Sequence, residues 1–358
     1  MKYRITEILA EKTLASSGTE LIDIDLTDPI SALVFEYKNT RGSNTNAGHV
    51  ASCLTKVELI DGSDVMFSLT GKQLHALGYF DVGKAPYTFL TNAVGVMEII
   101  APVYHFGTRL WDSSLAFDPK KHRNPQLRIQ FDRTKNDASS SAHTLRILAY
   151  VFDEKAISPM GFLMTKELKT YDCGSEGSYE YTDLPLDYPF RKLLIQAYTA
   201  DYQPWQVANE IRLSEDNDKR IPVDEKVSAL MKYYNTIHPR WNEGLYAVLT
   251  ATGADFYWTP QFDAVICGMS ETAGAVLSIE GQPMTSPKEL ASSSSGNALL
   301  DVSGFNPHGI VPLLFGDQSD PTDWYDVSRL GSLKLRIKAG SAGSNGDVSI
   351  ITQQLRRY

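Results

Sequence analysis

Gly18–Phe35, GTELIDIDLTDPISALVF, lies without a gap over Ser178–Ile195, SYEYTDLPLDYPFRKLLI, when the chain is displaced by 160 residues. Glu20 then meets Glu180, Asp23 meets Asp183, Leu26 meets Leu186, Pro29 meets Pro189 and Leu33 meets Leu193. A repeat of this length sets the architecture ahead of any motif, because each copy has to build the same supersecondary unit. The order of features continues beyond the match. TKVELIDGSDV, a polar turn, VMFSL and a helix ending Gly78-Tyr79-Phe80 correspond to ANEIRLSEDNDKRIPV and a helix ending Tyr233-Tyr234. APVYHFGTRLWD, from Ala101, corresponds to IVPLLFGDQSD, from Ile310, with Phe106-Gly107 over Phe315-Gly316. An identical Leu-Arg-Ile follows in each half, at 127–129 and 335–337, before a polar loop and a last strand.

Working outward, most periodic segments read as strands: 20–26, 31–37, 53–60, 64–69, 94–100, 127–131 and 144–152. They are short, rich in β-branched and aromatic residues, and bounded by Gly, Asn, Asp, Ser or Pro. Helical spacing is confined to ITEILAEKTL near the N-terminus, GKQLHALGYF (71–80) and VDEKVSALMKYYNTI (223–237). Strands that do not alternate regularly with helices disfavour a Rossmann sheet or (β/α)8 barrel and favour sandwiches. The expected class is all-β, two tandem eight-stranded sandwiches with few short helices, divided near Ser158-Pro159 into 1–158 and 159–358. The segment from Met160 to Gly177 reads as linker or as the second copy's first element. Between the helix and the Phe-Gly segment the first copy spends about twenty residues and the second over seventy. A tower-like insertion at about 253–309, with Ser292–Ser295 at a mobile tip, is expected on the second unit.

The order of elements resembles the double jelly-roll major capsid proteins of tailless icosahedral viruses, in particular the membrane-containing bacteriophage type. The residues that carry the likeness most clearly are CLTKVELIDGSDVMFSLTGKQLHAL, from Cys53, and APVYHFGTRLWDSSLAFDPKKHRNPQLRIQFD, from Ala101. The resemblance implies two jelly rolls side by side, a homotrimer of nearly hexagonal outline, and a non-enzymatic structural role in the virion capsid. It also implies contacts with neighbouring capsomers, with penton and minor capsid proteins, and with an internal viral membrane through the N-terminal segment. A carbohydrate-binding or receptor-binding spike-like sandwich is the alternative, and a β-sandwich hydrolase a third. The charge is -9, from 43 acidic against 34 basic residues, and there is no Lys/Arg block, which disfavours sequence-specific nucleic-acid binding. No signal-peptide core and no membrane-spanning stretch is read, so the expected place of synthesis is the host cytoplasm.

No catalytic, cofactor-binding or metal-binding residue is selected. Cys53, Cys173 and Cys267 are odd in number and far apart, and read as buried free thiols. The histidines at 49, 75, 105, 122, 143, 238 and 308 contain no HxxxH or HxH pair and read as structural. There is no GxSxG or GxxxxGK[ST], and GSAGSNGD, from Gly340, reads as a hairpin loop. Asp317, Asp320, Asp323 and Asp326 form one acidic cluster and Glu215, Asp216 and Asp218 another; solvated loops are favoured over calcium sites. Trp205, Trp241, Trp258 and Trp324, with Tyr188, Tyr198, Tyr233, Tyr234, Tyr246 and Tyr257, read as core and interface before a sugar platform. Val34, Val57, Leu59, Phe67, Leu127, Ile129, Leu193, Ile211, Leu213, Leu335 and Ile337 are the expected core.

Overall fold

The computed structural model describes residues 2–249, 254–270, 277–280, 285–292 and 296–358. The first half contains β1 (Tyr3–Thr13), β2 (Ser17–Asp23), β3 (Ile30–Thr40), β4 (Leu54–Asp61), β5 (Asp64–Leu69), helix α1 (Gly71–Val82), β6 (Tyr87–Thr91), β7 (Met97–Ala101), β8 (Val103–His105), β9 (Pro125–Asp132) and β10 (Ala142–Phe152). Its alternating strands bury one face only. In β10, His143, Leu145, Ile147, Ala149 and Val151 point inward while the residues between them stay partly exposed. One layer runs β1-β10-β3 with β8 on β3, and the other runs β2-β9-β4-β5.

The second half contains β11 (Gly161–Asp172), β12 (Tyr179–Asp183), β13 (Phe190–Tyr198), α2 (Pro204–Val207), β14 (Ala208–Glu215), β15 (Arg220–Lys226) and α3 (Val227–Tyr234). After β16 (Trp241–Leu249), β17 (Ala254–Phe256), β18 (Pro260–Ser270), β19 (Leu277–Glu280), β20 (Lys288–Ser292) and β21 (Gly296–Pro307) come β22 (Ile310–Leu314), β23 (Leu333–Ala339) and β24 (Asp347–Arg357). The pairings β1/β10, β10/β3, β3/β8, β2/β9, β9/β4 and β4/β5 recur as β11/β24, β24/β13, β13/β22, β12/β23, β23/β14 and β14/β15, all antiparallel. β3 and β13 begin at Ile30 and Phe190, the displacement found in the sequence. The segment after Met160 is thus the second copy's first strand.

The copies are fused edge to edge. β5 and β11 pair in parallel, Phe67 with Thr165 and Ser68 with Lys166, so one eight-stranded sheet runs β2-β9-β4-β5-β11-β24-β13-β22 through both. Of the insertion expected at about 253–309, the described strands β18 and β21 lie beside β16, which pairs in parallel with β6, so that the first copy's sheet extends to β1-β10-β3-β7-β6-β16-β21-β18. Strands β17, β20 and β19 form a separate three-stranded sheet. Trp241, Leu245, Phe256, Trp258 and Leu290 accordingly share a core with Phe35, Phe67 and Tyr104. A second core gathers Leu193, Ile195, Ile211, Leu213, Leu335 and Ile337. Ser293–Ser295 lie outside the described residues, and Ser292 ends β20.

Four expectations about elements and their faces change. ITEILAEKTL is strand β1, not a helix; its pairing with β10 shifts register between Glu7 and Leu9 and again between Leu9 and Lys12. Such bulges break the period of two, which leaves Ile5, Ile8 and Leu9 at a spacing that imitates a helix. Only Val227–Tyr234 of the segment 223–237 is helical, because Val223 and Glu225 pair with Leu213 and Ile211 of β14. Val34 is half-buried, since Leu33, Phe35 and Tyr37 take the inward positions of β3. GSAGSNGD is not a hairpin: β23 and β24 lie in different sheets, and the loop crosses between them.

Candidate functional site: the seam between the repeats

Where the copies meet, two polar clusters are sealed from solvent. The first sits at the end of α1. This helix starts at a capping box, with Thr70 Oγ1 accepting from Gln73 N–H and Gln73 Oε1 accepting from Thr70 N–H. Gln73 also donates through Nε2 to Glu167 and to Gln196 Oε1 (3.2 Å), both in the second copy. At the other end, Asp81 accepts from Arg191 Nη1 (2.6 Å) and Lys192 Nζ (2.8 Å), while Lys192 also donates to Phe80 O (2.9 Å). All three side chains are buried. Burial alone would raise the Asp81 carboxyl, yet the Lys192 and Arg191 cations hold it below its ordinary value. Burial, with Arg191 alongside, pushes the Lys192 ammonium down to about 8. In the aligned repeat Arg191 and Lys192 stand over Ser31 and Ala32, so the second copy differs from the first where it grips it. Two cations amid FRKLLI were the available signal.

The second cluster joins three remote segments. His49 precedes a short 3-10 turn in the first copy, His75 lies on α1, and His308 lies in the turn from β21 to β22; all are buried. Their rings lie 4.7 Å (His49 to His308), 5.2 Å (His75 to His308) and 5.6 Å (His49 to His75) apart. Ala51 N–H donates to His49 Nδ1 (3.0 Å), so the ring proton is on Nε2, facing Thr259 Oγ1 (3.1 Å). Thr259 Oγ1 in turn donates a hydrogen bond to Glu243 (2.6 Å), which also accepts from Trp241 Nε1 (2.9 Å). Thr88 donates to Pro86 O, hence His75 Nε2–H donates to Thr88 Oγ1 (2.8 Å) and His75 Nδ1 accepts from His308 Nε2–H (2.9 Å). Burial holds the imidazoles neutral, with His75 down at about 3, and pushes the Glu243 carboxyl up to about 7. No spacing rule reaches three histidines so far apart in the chain.

No family model and no curated protein matches this sequence. Solved structures do. The major capsid protein of Sulfolobus Turreted Icosahedral Virus superimposes over 100% of this chain and 98% of its own, with a TM-score of 0.62 at 10% identity. The PBCV-1 virus capsid gives 0.58 over 99% of this chain and 93% of its own, also at 10% identity. The major capsid protein of bacteriophage PM2 gives 0.56 over 99% and 98%, at 10% identity. The fold is the double jelly roll of viral major capsid proteins. Two eight-stranded sandwiches of matching strand order are what that architecture consists of.

Within the double jelly roll the acidic clusters do not converge. Asp317, Asp320 and Asp326 each accept from backbone N–H groups two residues on, at Ser319, Thr322 and Ser328, and Asp323 accepts from Asp317 N–H. Glu215 bonds Arg220 and Tyr325, Asp216 holds the amides of Gly331 and Ser332, and Asp218 pairs with Arg212. Cys53 and Cys173 are buried free thiols, but Cys267 is exposed on β18, a correction that follows from its outward register. Trp241, Trp258 and Trp324 are buried, and Trp205 packs against the second core. No described helix is long and apolar enough to cross a membrane.

Proposed function

We propose that this chain is a major capsid protein, a non-enzymatic structural subunit that forms homotrimeric, pseudo-hexagonal capsomers and tiles an icosahedral virion shell. The observation that carries this reading is the doubled sandwich, repeated pair for pair and shared with capsid subunits over nearly the full length of both chains. Physical need supports it. β2 and β22 end one sheet, and β1 and β18 end the other, leaving strand edges that a closed assembly covers. Val265 and Met269 on β18, with Leu299 on β21, leave apolar side chains outside, at 48%, 73% and 54% exposure. We place contacts between subunits there. Division into units 1–158 and 159–358, and contacts with penton and minor capsid proteins, belong to the same proposal. A membrane contact through the N-terminal segment would have to use the outer face of β1, where Ile5 is exposed. The glycan-platform alternative is not favoured, because three of the four tryptophans it would use, Trp241, Trp258 and Trp324, are buried, which leaves half-buried Trp205 and exposed Tyr233.

Light scattering and native mass spectrometry of untagged protein test the proposal, with particles imaged by electron microscopy. The expected result is a species of three chains that associates further into flat arrays or shells. A monomer at all accessible concentrations, with measurable glycan affinity, would overturn it.

A further inference from the structure

We propose that His49, His75 and His308 form a binding site for one divalent transition-metal ion, zinc by preference, that staples the two jelly rolls together. Three neutral imidazoles are the donor set that zinc accepts, and hard cations such as calcium and magnesium do not choose it. One ring nitrogen from each histidine lies within 4.8 Å of the others, and this is the only group of three potential ligands among the described residues. Imidazoles held tetrahedrally at about 2.0–2.1 Å have ligating nitrogens roughly 3.4 Å apart and ring centres roughly 5 Å apart. The three rings already stand 4.7 to 5.6 Å apart, so side-chain adjustments of about 1 Å complete the site.

The surroundings fit a ligand set. His75 keeps its Nε2–H on Thr88 Oγ1 and turns Nδ1 toward the trio, the arrangement in which an outer hydrogen bond orients a metal-bound imidazole. His308 is held at φ 52°, between Asn306 at 52° and Gly309 at 73°, a backbone region that a residue with a side chain enters at a cost and that aims its ring into the seam. Metal uptake needs no net proton release. The proton shared by His308 Nε2 and His75 Nδ1 moves to His308 Nδ1, and that of His49 moves to Nδ1 where Nε2 coordinates and stays on Nε2 where Nδ1 does. Coordination by either nitrogen of His49 takes the acceptor away from Ala51 N–H, so the turn 50–53 reports occupancy.

The test is metal analysis of untagged full-length protein made in medium with and without added zinc, followed by chelator treatment and loading with cobalt as a coloured probe. One equivalent per chain, a tetrahedral cobalt spectrum, and a Tm that falls on chelation and recovers on zinc addition are expected. His308→Gln and His75→Gln should lose the spectrum and the zinc-dependent part of Tm, whereas His122→Gln, away from the trio, should retain both. Substoichiometric metal together with a wild-type Tm indifferent to zinc and chelator would overturn the proposal even if the seam variants fail to fold. Unchanged uptake in folded His308→Gln would overturn it as well.

Discussion

Asp81 is a residue whose importance no local pattern discloses. It ends α1, and its two cationic partners lie more than a hundred positions away on β13. Removing one member of a buried ion cluster leaves the others unpaired in a low-dielectric site, which costs about 3–5 kcal/mol. Asp81→Asn is therefore expected to lower unfolding stability by that amount at neutral pH, as read by denaturant titration. The sign of its pH dependence follows from the depressed carboxyl of the folded state. The stabilisation is present above the ordinary carboxylate range and is lost as pH falls through the folded-state value, so variant and wild type should converge in acid. Burial at single positions was more legible: Val57, Leu59, Phe67, Leu127 and Ile129 are buried as expected, whereas on β3 the expected Val34 is half-buried and its neighbours Leu33, Phe35 and Tyr37 face inward.

At the scale of elements, α1 shows why one helix was readable and another was not. Thr70 and Gln73 make a capping box, an apolar run follows, and Gly83 closes the helix in the left-handed conformation, so every local signal agrees. Thr70→Ala should cost about 1 kcal/mol. Gln73→Ala should cost more, because it removes both the cap and the bonds to Glu167 and Gln196; thermal unfolding of the two variants side by side checks the order. The N-terminal strand gave the opposite signal. Its bulges placed Ile5, Ile8 and Leu9 at helical spacing, and what decides its conformation is the long-range partner β10. Likewise 220–226 became strand because β14 needed a neighbour on that side.

For the whole molecule, the repeat made the doubled sandwich legible, since three of the five identities at 160 residues' displacement, Glu20/Glu180, Asp23/Asp183 and Leu33/Leu193, fall on strands that pair alike. The seam was not legible. Parallel pairing of β5 with β11 and of β6 with β16 joins strands far apart in sequence, and nothing in either strand names its partner. Residues 1–158 produced alone should aggregate, because β6 and the core facing Trp241 and Trp258 lose their cover; co-expression with 159–358 should restore soluble protein, as a fractionation assay reads out. That same loan of three strands has a bearing on inheritance. A crossover between related genes near the midpoint would pair a first copy with a foreign lender, whose strands were shaped for another borrower. The two halves are therefore expected to descend together, and viable hybrids should exchange the insertion along with the first half.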